Sequence, residues 1–305
     1  MLTVTVPDTD LLDRLQDLSG RVELVLWDLL SPLPAEVAER VSMVQIGHYW
    51  VKPDRWRRLA EVPNLRYVQL PSAGFDHALP LIPPGVTLCN GRGVHSTGTA
   101  ELAVALILAA QRGLAAALEA QREGRWFNPE LPSLADRRVL VVGAGSVAQA
   151  VIERLRPFEV EITVVGRTAR PGVHGIDELG GLLGQADIVV LTVPYSPQTH
   201  QLLDAERLAA LPDGALVVNV ARGRVVDTEA LLAELTSGRL RAALDVTDPE
   251  PLPADHPLWH APNTIITAHQ GGNSDATYPR VAALLRRQLE HLLAGEPLDN
   301  VVAHS

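Results

Sequence analysis

Residues 137–170, RRVLVVGAGSVAQAVIERLRPFEVEITVVGRTAR, constrain the fold more than any other stretch of this chain. Positions 139–142 form a short apolar run with three β-branched residues, the composition of a parallel strand buried on both faces. Gly143, Ala144 and Gly145 follow at once, and Val147, Val151, Ile152 and Leu155 then recur at helical spacing. Pro157 ends that helix, and Glu161–Val165 reads as a second strand. In such a unit the first glycine makes the tight turn. The second lets the backbone approach a pyrophosphate at the helix N-terminus, and a third small residue lets helix pack on strand. Gly143 and Gly145 take the first two places and Ala148 the third, while Ser146 and Val147 open the helix. A glycine turn in an α/β protein without nucleotide is the plainer reading. A second strand arriving on schedule favours a dinucleotide.

The end of the second strand bears on which dinucleotide. A carboxylate about 20 residues past the glycines bonds the ribose 2′-hydroxyl in NAD sites. Here the place reads Val165, Gly166, Arg167, Thr168, with no carboxylate. A guanidinium can grip a 2′-phosphate that a carboxylate would repel. NADP(H) is therefore the expected preference, with Arg167 and Thr168 as donors and Arg170 in reserve. The alternative, a solvated Arg167 and use of NAD(H) as well, stays open.

Bulk properties narrow the class. The chain has 305 residues, 20% of them charged and 47% hydrophobic, with a net charge of −10, which suggests a globular protein of two domains. No extended basic block marks a nucleic-acid surface. The single cysteine, Cys89, excludes an intrachain disulfide and suggests a reducing, cytoplasmic setting. The N-terminus lacks the pattern of a signal peptide, and the longest apolar run, 102–110, is too short to span a bilayer, so no membrane partner is expected.

Strand and helix alternate from the start. Strands are expected at Leu2–Val6, 22–27, 41–46 and 66–70, with helices at 8–18, after Pro34 and after Lys52. A glycine-containing connector, 90–99, leads into an Ala- and Leu-rich helix at 100–121, read as the link between domains. Beyond the glycine unit, strands are expected at 187–193, 215–220, 242–246 and 264–267, and helices at 176–183, 204–210 and from Asp227 to Gly238. A final helix, 274–294, is expected to be interrupted early by Pro279, to have no strand after it and to return to the first domain.

Three polar stretches stand just past strands of the glycine domain: NVARGRVVD with Arg222, LDVTDPEPLP with Asp245 and Glu250, and TAHQGGN with His269. They open on the sheet edge that carries the glycine turn, where groups of this kind define a default active site. Reduction of a 2-keto acid needs a hydride and a proton. An imidazole donates protons near neutral pH, and a carboxylate on its other nitrogen orients the ring and favours its charged form. A guanidinium grips a substrate carboxylate or carbonyl. His269, Glu250 and Arg222 suit these three roles; each alone is as compatible with a surface or packing role.

These stretches also carry a resemblance. SAGFDH, NGRGVHSTGTAELAVALILAAQR, VLVVGAGSVA, ADIVVLTVPYSPQTH, LVVNVARGRVVDTEALLAEL, AALDVTDPEPLPADHPLW and TAHQGG occur in the order and spacing of the D-isomer-specific 2-hydroxyacid dehydrogenases, which the chain resembles over most of its length. The likeness implies an α/β fold of two Rossmann-like domains with doubly wound parallel sheets. Residues 1–93 and 272–305 would form a flavodoxin-like substrate domain, and 94–271 the dinucleotide-binding domain. It implies Arg222, Glu250 and His269 as the catalytic set, and backbone N–H groups of Ala73 and Gly74 on the substrate carboxylate. It puts Ala221, Asp245 and Thr99 by the nicotinamide and Val193 and Pro194 by the adenine, with Val220 and Gly271 completing the cofactor contacts. Homodimers through the long helix are implied too, with Trp126 resembling a tryptophan lent to the neighbouring active site. LDVTDPEPLP, STGTAELAV and the VVGR strand end resemble the glyoxylate/hydroxypyruvate reductase subgroup, which favours NADPH. The sequence departs from the family pattern at Ala148 and at LRPFEVE. His48, Tyr49 and Trp50 make a bulky aromatic entry, with Tyr49 and Trp50 as substrate contacts or as packing. Three alternatives remain open: an NAD-dependent dehydrogenase of another 2-hydroxy acid, a dinucleotide-sensing binding module, and a phosphite enzyme. The last fits poorly, because Ala73 stands where the resembling phosphite enzymes place a basic residue.

Overall fold

The computed structural model describes residues 1–47 and 53–304. It divides into two compact units, Met1–His95 with Ser274–Ser305 and Ser96–Asn273, where the sequence places the divisions at 93/94 and 271/272. The chain opens with β1 (Leu2–Val6), α1 (Thr9–Arg14), β2 (Val22–Leu26), α2 (Ala35–Ala38), β3 (Val41–Gln45), α3 (Pro53–Trp56), β4 (Tyr67–Gln69) and β5 (Thr87–Cys89). The second unit runs α4 (Ser96–Gln111), α5 (Leu114–Arg122), β6 (Arg138–Val142), α6 (Ser146–Leu155), β7 (Glu161–Val165), α7 (Leu179–Leu183) and β8 (Ile188–Leu191). It continues through α8 (Ala205–Ala209), β9 (Leu216–Asn219), α9 (Thr228–Thr236), β10 (Arg241–Leu244) and β11 (Thr264–Ile266). The chain then closes with α10 (Thr277–Ala294) and β12 (Val301–His304).

In the first unit β2, β1, β3, β4 and β5 lie side by side in parallel, and β12 adds antiparallel to the outer edge of β5. The parallel five have the flavodoxin-like order. Val4, Val6 and Met43 pack on one face with Leu11 of α1 and Leu285 and Leu289 of α10. Val44, Val68 and Leu88 pack on the other with Trp56 and Leu59.

The second sheet is parallel throughout, in the order β7, β6, β8, β9, β10, β11. Alternate residues of each strand enter opposite cores, as the two-residue strand period requires. Val139, Val141, Ile188 and Val190 meet Ala100, Ala103 and Ile107 of α4 and Ala148 and Val151 of α6. Leu140, Val142, Val189 and Leu191 meet Leu179, Leu208 and Leu231 on the other side. Ala148, the third small residue of the glycine motif, is buried where α6 packs.

Four local expectations need correction. The helix expected over 100–121 is two helices: Gly113 takes φ +57° between α4 and α5, a left-handed turn that glycine adopts at little cost. The helix expected over 8–18 stops as an α-helix at Arg14 and finishes as a short 3-10 turn, Gln16–Leu18. Pro279 does not interrupt α10. It occupies the third helical position, where the missing N–H has no intrahelical acceptor anyway. A strand does follow the last helix: β12 exists because the outer edge of β5 is there to pair with it, which four residues of sequence cannot reveal.

Candidate active site

The second sheet reverses its order between β6 and β8. From β6 the chain crosses to β7 on one side, then returns to β8 on the other. The loops at the carboxyl ends of these two strands therefore diverge and leave a crevice, where ligands bind in open α/β sheets. Gly143 turns out of β6 with φ +125°, and a Cβ there would collide with the Thr192 hydroxyl after β8. Gly145 caps α6, and a Cβ on it would meet no protein atom. The first-turn N–H groups of α6, from Ser146 and Val147 onward, lack intrahelical acceptors and carry the positive end of the helix dipole. This cradle fits a pyrophosphate.

Arg167 and Thr168 stand exposed past the end of β7, and Arg167 makes no side-chain hydrogen bond or ion pair among the described residues. Arg170 is drawn back to the glycine turn, donating to the Ala144 carbonyl at 3.3 Å. A Cβ on Gly166 would press on Val173 and Ala144, so the β7 end sits close to the turn. Val193 and Pro194 follow β8, with the Pro194 carbonyl held by Thr199 Oγ1 at 2.7 Å. Val220 and Ala221 are core residues, so their side chains pack inward.

Three loops converge because their strands are in register. Leu244 of β10 lies opposite Asn219 of β9 and Ile266 of β11. Past those residues the backbone stays linked: the Asp245 N–H donates to the Asn219 carbonyl at 2.9 Å, and the His269 N–H to the Asp245 carbonyl at 2.7 Å. Buried Asn219 shapes the loop that carries Arg222, accepting from the Ala221 N–H and donating to the Arg222 carbonyl, each at 3.0 Å. A Cβ on Gly223 would strike the Thr247 carbonyl, so the two loops touch. The Arg222 side chain donates to the Ala221 carbonyl at 2.8 Å.

Asp245 is only 2% exposed. Its Oδ1 accepts from Thr267 Oγ1 and the Gln270 N–H, each at 2.7 Å, and its Oδ2 from the Gly271 N–H at 2.9 Å. That carboxylate folds the 267–271 loop and helps hold His269 at φ +51°, a left-handed conformation that a non-glycine residue adopts only under constraint. Thr99 of α4 is close by, since a Cβ on Gly271 would meet Thr99 Oγ1 and Asp245 Oδ2 at 3.1 Å.

His269 Nδ1 lies 2.5 Å from Glu250 Oε1, with both side chains about 29% exposed. An ionised carboxylate only accepts, so Nδ1 bears the proton in this bond, and Nε2 is the ring nitrogen that this bond leaves out. Imidazole–carboxylate pairs of this kind can combine a proton donor with the group that orients it.

Ala73 and Gly74 belong to the first unit, in the loop after β4, both half-buried. Tyr49 and Trp50, with His48, lie outside the described residues. Trp126 is 92% exposed in the segment after α5. Asn219 was not singled out from the sequence, although its place one residue past three apolar strand positions and just before the arginine loop is a readable signal. Among the described residues no group of three or more His, Cys, Asp or Glu is arranged to hold a metal, and no single helix is long and apolar enough to cross a membrane.

Residues 104–271 match the family described as D-isomer specific 2-hydroxyacid dehydrogenase, NAD binding domain. The chain belongs to the D-isomer specific 2-hydroxyacid dehydrogenase family. As a member of that family it is an NAD(P)-dependent 2-hydroxyacid dehydrogenase, built from two parallel-sheet α/β domains. It is 32% identical over 295 residues to the glyoxylate reductase/hydroxypyruvate reductase of Homo sapiens, covering 91% of this chain and 90% of that one. It is also 32% identical over 227 residues to a D-3-phosphoglycerate dehydrogenase of Methanocaldococcus jannaschii, covering 72% of this chain and 43% of that protein. The crystal structure of a D-isomer specific 2-hydroxyacid dehydrogenase from Xanthobacter autotrophicus Py2, in complex with NADPH and MES, superposes with a TM-score of 0.81. That pair shares 30% identity, with 99% of this chain and 98% of that one covered.

Proposed function

We propose that this dehydrogenase reduces glyoxylate, hydroxypyruvate or a closely related small 2-keto acid, preferring NADPH. The observation that carries the reaction is the His269–Glu250 pair at 2.5 Å, on a loop tied through Asp245 and Asn219 to the loop that bears Arg222. The human relative's name supports the substrate class. Arg167, without a side-chain partner among the described residues, and the lack of a carboxylate in the sequence at the β7 end support the cofactor preference. When bound, the reduced nicotinamide supplies the hydride. Gly143, Gly145, Ser146 and Val147 would hold its pyrophosphate, Arg167 and Thr168 its 2′-phosphate, Val193 and Pro194 its adenosine side. Val220, Ala221, Asp245, Gly271 and Thr99 would line the nicotinamide side, with Arg222 and His269 facing both cofactor and substrate.

The protein's own part is recognition and proton delivery. The N–H groups of Ala73 and Gly74 bind the substrate carboxylate. Arg222 holds the carboxylate or carbonyl and offsets negative charge developing on oxygen. His269 gives its Nε2 proton to the carbonyl oxygen while Glu250 holds the ring and balances its charge. The protein works as a homodimer through α4, α5 and the segment with exposed Trp126, and buried Cys89 fits a cytoplasmic site. A panel of 2-keto acids offered with NADPH or NADH, read by loss of the reduced cofactor's absorbance, tests the reading. Turnover of small 2-keto acids faster with NADPH is expected; no turnover of any 2-keto acid would end it.

A further inference from the structure

Asn90 directly follows β5, the strand beside the one that leads into the proposed carboxylate loop, and it is buried to 7% exposure. Its Nδ2 donates to the Ala73 carbonyl at 2.7 Å, and its Oδ1 accepts from the Arg92 N–H at 3.2 Å. A trans peptide is planar, with its N–H and C=O on opposite edges. Pinning the Ala73 carbonyl therefore fixes the Gly74 N–H, which must face away from Asn90. Ser72 Oγ pins the next carbonyl, that of Gly74, at 2.8 Å. Among the described residues neither Ala73 nor Gly74 spends its N–H on a protein acceptor. The neighbouring Gly91 completes the clamp. Its N–H donates to the Ser72 carbonyl at 2.7 Å, and a Cβ there would collide with the Pro71 carbonyl.

Asn90 is itself anchored from behind. Gln69 Nε2 donates to the Asn90 carbonyl at 3.0 Å, and the Asn90 N–H donates to the Asn300 carbonyl at 3.0 Å. Gln288 of α10, fully buried, donates to Gln69 Oε1 at 2.7 Å and exchanges hydrogen bonds with the Asp299 backbone. Satisfied buried amides of this kind fix geometry, because any displacement leaves an unpaired polar group. We propose that Asn90 is the positioning residue for substrate recognition, holding the Ala73–Gly74 peptides so that their N–H groups present to the substrate carboxylate.

This rests on the reading that those N–H groups bind the carboxylate, and two sets of variants separate the claims. Asn90→Ala should raise KM for the 2-keto acid about tenfold or more, the scale of a lost hydrogen bond to a charged group. The effect on kcat should be smaller, and the Kd for NADPH, read by fluorescence, should stay about the same. Asn90→Asp keeps the acceptor for Arg92 but cannot donate to Ala73, so it should not rescue KM. Asn90→Ser provides a milder loss if the alanine variant fails to fold. Gly74→Pro deletes the N–H itself and should also raise KM. An unchanged KM in Gly74→Pro would overturn the carboxylate-loop reading. Raised KM in Gly74→Pro, with wild-type KM in the Asn90 variants or full rescue by Asn90→Asp, would leave that reading standing and overturn the role of Asn90.

Discussion

At the scale of single residues, the proposed chemistry rests on groups that can be removed one at a time. His269→Ala should lower kcat by roughly 10² to 10⁴, the range for a lost general acid, with a much smaller loss of NADPH affinity. Steady-state rates beside a binding titration check both halves. Arg167→Ala should weaken NADPH by about 10- to 100-fold, as expected for a lost charge-assisted hydrogen bond, and leave NADH nearly unchanged. Equal loss for both cofactors would remove Arg167 from 2′-phosphate recognition. The types and spacing of Arg222, Glu250 and His269 were legible in the sequence because reactive groups cluster just past strand ends. The left-handed backbone of His269 and the use of Asp245 to fold its loop were not, since both depend on hydrogen bonds between residues more than 20 positions apart.

At the scale of elements, the glycine turn and the sheet edges carry the testable constraints. Gly143→Ala puts a methyl against Thr192 and demands a positive φ, so it should cost about 1–3 kcal/mol or more, read as a lower urea midpoint. Cys89 lies on β5, paired with Val301 of the neighbouring edge strand β12. Burial first, then the nearby Asp299 carboxylate, push its thiol up to about 11, against a hydrogen bond from Gln288. Native protein at neutral pH should therefore alkylate at Cys89 at least about 100-fold more slowly than unfolded protein, as thiolate fraction dictates. Trimming the chain before β12 should release that protection. Strand β6, helix α6 and strand β7 were readable because an apolar run, a 3.6-residue period and a proline stop are local signals. The three residues of β5 and the four of β12 are too few for a period to show.

At the scale of the whole molecule, α5 leaves Leu114 and Leu118 about half exposed, and Trp126 is almost fully so. Scattered exposed apolar residues are ordinary; grouped on one helix and its following segment they fit an interface. Light scattering should report twice the chain mass. Leu118→Glu should shift it toward one chain, and Trp126→Ala should change KM if that ring reaches a partner's site. A mass of one chain for the wild type would exclude the dimer. By itself the sequence determined the α/β alternation, the glycine cradle and the reactive residue types, since each is written in neighbours a few positions apart. Only the tertiary structure decided which strand edges pair, where the long helix breaks, and how buried Asn90, Asn219 and Asp245 hold the loops at the strand ends. Those are matters of long-range hydrogen bonding, and no local pattern along the chain encodes which distant carbonyl a buried amide or acid will find.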